Sequence, residues 1–192
     1  MLPLNLNISV MLFWSLLFAL TGFSQTKSYS VTYKYETPMP VGSQTSLLTA
    51  DLHVVAKDGS TVVSYGDFKS NASNATISMN APDSCLYLKS KWFRFTNGQR
   101  IEIPFDEVTI TETKECKNIH GYKAQKLLIK YSDKVVECWI CKSLPAFITP
   151  LPGLKLLPGA VLEFRIPAEK ISVVMASSIV ITGSSKKKMG LR

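Results

Sequence analysis

The chain has 192 residues, 46% of them hydrophobic, with 4 Cys, 2 His and a net charge of +8. That length suits a single domain with a real core. The positive charge favours anionic partners, but no nucleic-acid-binding motif accompanies it, so nucleic acid is not the expected partner.

Ile8 to Leu20 is an apolar run broken only by Ser9 and Ser15. It has the length of a secretory hydrophobic region, whereas a spanning helix needs about 20 residues. Gly22 and Ser24 suit the small-residue positions of a cut after Ser24, although Met1 to Asn7 carries no Lys or Arg. The expectation is a signal peptide over 1–24, and export to the periplasm, the outer-membrane face or the exterior. No transmembrane segment is expected after cleavage; an uncleaved anchor is the alternative.

Residues 25–183 read as one β domain. Ser28 to Glu36 alternates, with Val31, Tyr33 and Tyr35 on one face. Thr37 to Ser43, with Pro38 and Pro40, reads as a loop, and Ser46 to Ala56 as a second strand. Asp58-Gly59 marks a hairpin turn into Ser60 to Tyr65. Gly66 to Asn80 is small and polar and reads as a surface loop; Asn71-Ala72-Ser73 and Asn74-Ala75-Thr76 fit the glycan acceptor pattern. Cys85 to Phe95 reads as one long strand with neither face cleanly polar. Asn97-Gly98 turns the chain into Gln99 to Ile103. Phe105 to Glu115 follows, then a turn at Asn118 to Gly121. Tyr122 to Tyr131 and Val135 to Cys141 form another hairpin. A Pro-rich stretch, Leu144 to Pro158, interrupts before the closing strands Ala160 to Pro167 and Ile171 to Ile181. A short helix is allowed near Asn71 or Pro145. The sum is a mainly β fold, a single curved antiparallel sheet or half-barrel of about nine to eleven strands with little helix. Residues 184–192, with Lys186-Lys187-Lys188 and Arg192, read as a basic flexible tail, either solvated or touching anionic lipid or polysaccharide.

An exported chain meets oxidising conditions, so Cys85, Cys116, Cys138 and Cys141 are disulfide candidates; buried free thiols are the alternative. Three residues of strand span about 10 Å, so Cys138 and Cys141 cannot pair with each other across an extended segment. If two bridges form, each pairs with Cys85 or Cys116. A thiol or metal enzyme using Cys138 and Cys141 would need a bend there. Cys116 and His120 could share a metal only if their turn folds back, and His53 sits in a strand pattern. No metal site, cofactor or catalytic residue set is expected. There is no Gly-x-Ser-x-Gly, phosphate-binding Gly loop or His-Glu-x-x-His, and Asp106-Glu107 are splayed by strand geometry. The expectation is a protein that is not an enzyme.

Asp106 to Lys126, DEVTITETKECKNIHGYKAQK, and the later Leu156-Leu157-Pro158-Gly159-Ala160-Val161-Leu162-Glu163 are similar to the conserved segments of the GLPGLI family of exported bacterial proteins. The resemblance covers roughly residues 106–166. It departs from that signature at Leu156, Ala160 and Val161. It implies an exported β protein with no assigned activity, whose shape resembles the periplasmic lipoprotein carriers. Pro158 cannot pair and Gly159 permits a close backbone approach, so Leu157-Pro158-Gly159 reads as the kinked start of a core strand. Ala146 to Leu156 would cross the mouth of the sheet. Phe147, Leu151, Leu154, Leu157, Pro158 and Gly159 are then the candidate contacts for a lipid or other hydrophobic ligand; an ordinary Pro-rich connection is the alternative. The functional expectation is a non-enzymatic envelope protein that binds such a ligand on its curved sheet. The alternative is a structural or protein–protein interaction module with an envelope partner.

Overall fold

The computed structural model describes residues 27–41, 44–70, 76–77, 84–131, 134–166 and 172–183. The expected signal peptide, the basic tail, Asn71, Asn74 and the turn at Ser132-Asp133 lie outside them. The described residues form thirteen strands and no helix, so the short helix allowed near Pro145 does not form, and the one allowed near Asn71 falls outside the described residues.

β1 (Lys27–Val41) and β2 (Gln44–Lys57) make a long antiparallel hairpin, in register from Ser28↔Lys57 to Val41↔Gln44. Alternation dictates it: Val31, Tyr33, Leu52 and Val54 share a buried face, and Lys34, Asp51 and His53 share the other. The expected loop at Thr37–Ser43 is therefore strand as far as Val41. β13 (Ser172–Gly183) meets β1 at Thr37, where the Thr37 and Ser172 hydroxyls lie 2.7 Å apart. Past that point β1 has one described partner, and an edge tolerates Pro38 and Pro40.

β3 (Ser60–Tyr65) follows the Asp58-Gly59 turn, whose φ values of 51° and 76° match the strand twist. Within the stretch read as surface loop, β4 (Phe68–Ser70) pairs with β2 and with β5 (Thr76–Ile77). β6 (Ser84–Leu88), β7 (Lys91–Thr96) and β8 (Gln99–Ile103) complete this half. The expected single strand Cys85–Phe95 is in fact a hairpin. Lys89 and Ser90 turn it with φ of 50° and 62°. The turn resets the alternation, so Cys85 and Tyr87 share a face with Arg94 and Trp92, not with Phe93 and Phe95. Neither turn residue is Gly or Asn, so the usual signal is missing.

β9 (Val108–Ile119), β10 (Tyr122–Tyr131), β11 (Lys134–Cys141), β12 (Ala160–Ile166) and β13 form the other half. The main path is β8-β7-β6-β3-β2-β1-β13-β12-β11-β10-β9. It holds eleven strands, with β4 and β5 beside it. The contacts Thr37–Ser172, Thr32–Ser177 and Ser28–Thr182 show β13 antiparallel to β1.

β8 and β9 end this path on opposite sides, yet they are consecutive in the chain, joined by Pro104 to Glu107. Laid flat, ten strand spacings would separate them by about 48 Å. The linker reaches at most about 18 Å. The sheet must therefore curl. β8 and β9 do not pair, so it stays open along that seam. Its inner face carries the rungs Tyr29–Ala56–Thr61–Tyr87–Trp92–Ile103 and Val31–Val54–Val63–Cys85–Arg94. All but Ile103 and Arg94 are buried.

The tip of the β9–β10 hairpin bends at a bulge between Gln125 and Leu127. It lies over the Trp139–Glu163 pair of β11 and β12. Lys117 Nζ sits 2.6 Å from Glu163 Oε2 and 4.3 Å from the Trp139 ring centre, and His120 Nε2 meets the Ala176 carbonyl at 2.7 Å.

Candidate functional site

The inner face of the sheet is covered by the chain itself. Lys142 to Gly159, between β11 and β12, contributes no strand. Its Pro residues cannot donate to a ladder. Turn bonds start it, Leu144 N–H to Cys141 O at 3.2 Å and Ile148 N–H to Pro145 O at 3.1 Å. Leu144, Ile148 and Leu157 are then buried, and Phe147, Leu151, Leu154 and Leu156 pack against the sheet's core. This segment is a plug.

A plug without a ladder leaves carbonyls that need donors. Side chains of the inner face supply them. Trp92 Nε1 donates to Leu154 O at 3.0 Å, and the Thr61 hydroxyl donates to Phe147 O. Backbone donors add two more bonds, Asp106 N–H to Gly153 O and Val161 N–H to Ile148 O, both at 2.9 Å. The Tyr33 hydroxyl donates to Val161 O at 2.6 Å. Tyr29 meets Phe147 edge to face, with ring centres 6.3 Å apart. Ile148, Thr61 and Trp92 were not legible as plug contacts, nor Tyr33 as the donor to β12 beside it. Their roles depend on which strands the curl brings under the loop.

The two Leu-Pro-Gly triplets solve different problems. Gly153 has φ of +87°, a conformation that a side chain strains. Gly159 has no such φ, but a Cβ there would stand 2.5 Å from Cys141 O. It is the close backbone approach that the sequence suggests. Of the candidate contacts, Phe147, Leu151, Leu154 and Leu157 come together on the inner face. Gly159 is buried against Cys141. Pro158 is exposed, at the point where the chain is about to enter β12.

The four Cys are unpaired, as in the free-thiol alternative, with Cys85, Cys138 and Cys141 buried and Cys116 exposed. Cys116 pairs in register with Gln125, which faces Ile140. Two strand spacings, about 9–10 Å, thus part it from β11, beyond disulfide reach. Cys85 lies on β6, at the other half of the path. Burial pushes the Cys138 thiol up, helped by nearby Glu163, and burial also raises Cys85 against the opposing pull of Tyr65 and Arg94. Such thiols are poor nucleophiles. Burial likewise raises the Tyr33 and Tyr65 hydroxyls. Among the described residues no three His, Cys, Asp or Glu side chains group as metal ligands. His120 is engaged with Ala176 rather than with exposed Cys116.

Two open clefts accompany the plug. One, of about 370 Å³, lies on the outer face of β1 and β2 and is polar, lined by Lys34, Glu36, Asp51, His53, Asp67 and Lys69 among others. The other, of about 410 Å³, lies where the plug meets the β6–β8 wall, lined by Tyr65, Cys85, Arg94, Glu102, Ile103, Pro104 and Pro152.

No family model matches the chain, and no curated protein does. Among solved structures, that of PNGF-II is similar over 81% of this chain, at 15% identity and a TM-score of 0.50. The chain spans 28% of the length of that one, and the likeness is one of fold. The LolA superfamily protein NE2245 from Nitrosomonas europaea is similar over 79% of this chain and 84% of its own, at 12% identity and a TM-score of 0.34. LprF from Mycobacterium bovis is similar over 85% of this chain and 89% of its own, at 9% identity and a TM-score of 0.31.

Proposed function

We propose that this chain is an exported envelope protein of the GLPGLI type that binds a hydrophobic molecule on the inner face of its curved sheet and performs no catalysis. The observation that carries the reading is the plug. An apolar concave face is covered by a strandless segment fixed by a handful of separate hydrogen bonds. Such a cover opens at lower cost than a paired strand, because no ladder has to be broken. The sequence supports export through the Ile8–Leu20 run and the small residues after it. The raised thiols speak against a cysteine nucleophile.

A second reading has its own observation. β8 and β9 are unpaired edges beside the seam, and an exposed edge can accept a partner's strand. In that reading the plug is permanent core. Native mass spectrometry of the mature protein purified from its own envelope, with organic extraction, separates the two. A stoichiometric apolar molecule supports the binding reading. A clean unliganded mass overturns it and favours the interaction module, whose partner crosslinking would then seek.

A further inference from the structure

Before its last member, Ile101 of β8, the rung that runs Val31–Val54–Val63–Cys85 along the inner face reaches a charge, Arg94. It is exposed and forms no ion pair with an acidic side chain among the described residues. Glu102, which lines the same cleft, is held by Lys91 at 3.0 Å. The rest of the lining is largely apolar or weakly polar: Ile103, Pro104 and Pro152, with Tyr65 and Cys85 occupied with each other at 3.8 Å. Its volume of about 410 Å³ falls in the range of small-molecule sites. One wall is the plug itself, at Pro152, next to Gly153, whose carbonyl takes the Asp106 N–H.

From this geometry we infer that the cleft between Pro152 and the Cys85–Arg94 rung takes a single-chain amphiphile with a carboxylate head. The carboxylate sits on the Arg94 guanidinium, and the hydrocarbon lies along Ile103, Pro104 and Tyr65 toward the plug. A guanidinium offers a planar fork that matches a carboxylate bidentately. One fork beside Glu102 suits a monoanion better than a phosphate dianion, which needs further cations. Charge at the rim and apolar surface inward is the order in which a fatty acid presents its own groups. This deepens the hydrophobic-ligand reading and rests on it.

The test is calorimetric titration of the purified mature protein with dodecanoate, dodecanol, dodecyl phosphate and acetate. Dodecanoate should bind about ten- to a hundred-fold tighter than dodecanol, the span expected of a hydrogen-bonded charge. Arg94→Gln should abolish that difference and leave dodecanol binding unchanged, and Arg94→Lys should restore part of it. Equal binding of dodecanoate and dodecanol by the native protein would overturn the headgroup assignment while leaving the hydrophobic-ligand reading intact. So would tighter binding of dodecyl phosphate than dodecanoate. Acetate binding as tightly as dodecanoate would reassign the cleft to a free anion. Binding of none of the four would overturn the inference, and native mass spectrometry alone would then decide the broader reading.

Discussion

The Tyr33 hydroxyl, on β1, donates a 2.6 Å hydrogen bond to the carbonyl of Val161, the second residue of β12, across 128 positions of sequence. β12 pairs with β13 only from Glu163 onward. Val161 is therefore served by Tyr33 on its carbonyl and by Ile148 of the plug on its N–H. Tyr33→Phe leaves a buried acceptor unsatisfied and should cost about 1–3 kcal/mol in urea unfolding. An unchanged unfolding midpoint would show that Val161 finds another donor.

Trp92 tests the plug. Trp92→Phe keeps most of the ring in the core but removes the donor to Leu154 O. We expect a stability loss of about 1–3 kcal/mol, from the unsatisfied carbonyl and the volume lost in the core. We also expect stronger fluorescence of a naphthalene-sulfonate probe at native conditions, as the inner face becomes more accessible. Loss of stability with no gain in probe binding would mean that the plug is permanent core.

The two glycines should respond differently. Gly159→Val places a side chain where Cys141 O already stands 2.5 Å from a Cβ, against backbone that cannot yield cheaply. It should destabilise by about 3 kcal/mol or more. Gly153→Ala meets nothing nearer than 3.4 Å and pays only for its positive φ, about 1–2 kcal/mol. Thermal melts of both variants give the order, and a reversed order would refute this division of roles.

Glu163 is 2% exposed and is held by Lys117 Nζ at 2.6 Å and Arg165 Nε at 2.8 Å. Lys117→Met removes one cation from a buried carboxylate and should cost about 3 kcal/mol. Adding Glu163→Gln should recover part of that loss, because the buried charge left with Arg165 as its one remaining partner goes with it. Additive losses in the double variant would argue that the pair is not coupled.

Stability should fall in alkali. Cys138 and Tyr33 are both raised above their ordinary values of 9.0 and 10.0, chiefly by burial. The unfolded chain releases these protons at the ordinary values, and the folded chain keeps them. Their stabilisation is therefore full below about pH 9 and declines as pH rises, by up to about 1.4 kcal/mol per pH unit for each group. Urea midpoints at pH 8 and pH 10.5 measure it, and Cys138→Ala should flatten the decline between pH 9 and 10. Thiol labelling offers a parallel check: Cys116 should react fast in the native protein and the three buried thiols only in denaturant.

Most of the strands, most of the turns and the β class were written in the sequence, because period-two alternation and Asp-Gly or Asn-Gly pairs act through neighbouring residues alone. Val31, Tyr33 and Tyr35 announce β1, and Asp58-Gly59 and Asn97-Gly98 announce their hairpins. The Lys89-Ser90 turn escaped because its positive φ values rest on residues with no preference for them, and tertiary pairing enforces them. The close approach at Gly159 could be read as a kind of event, but not its partner, Cys141. The plug's seat was beyond reach for a related reason. Which strands lie beneath Phe147 and Leu154 is decided by how the sheet curls. That curl follows from two end strands, β8 and β9, being tied by a linker too short to span a flat sheet. No local pattern contains such a constraint. The sequence determined which residues wanted burial, and the tertiary structure decided what they would be buried against: an apolar wall, a strandless plug, and a cleft with an arginine at its rim.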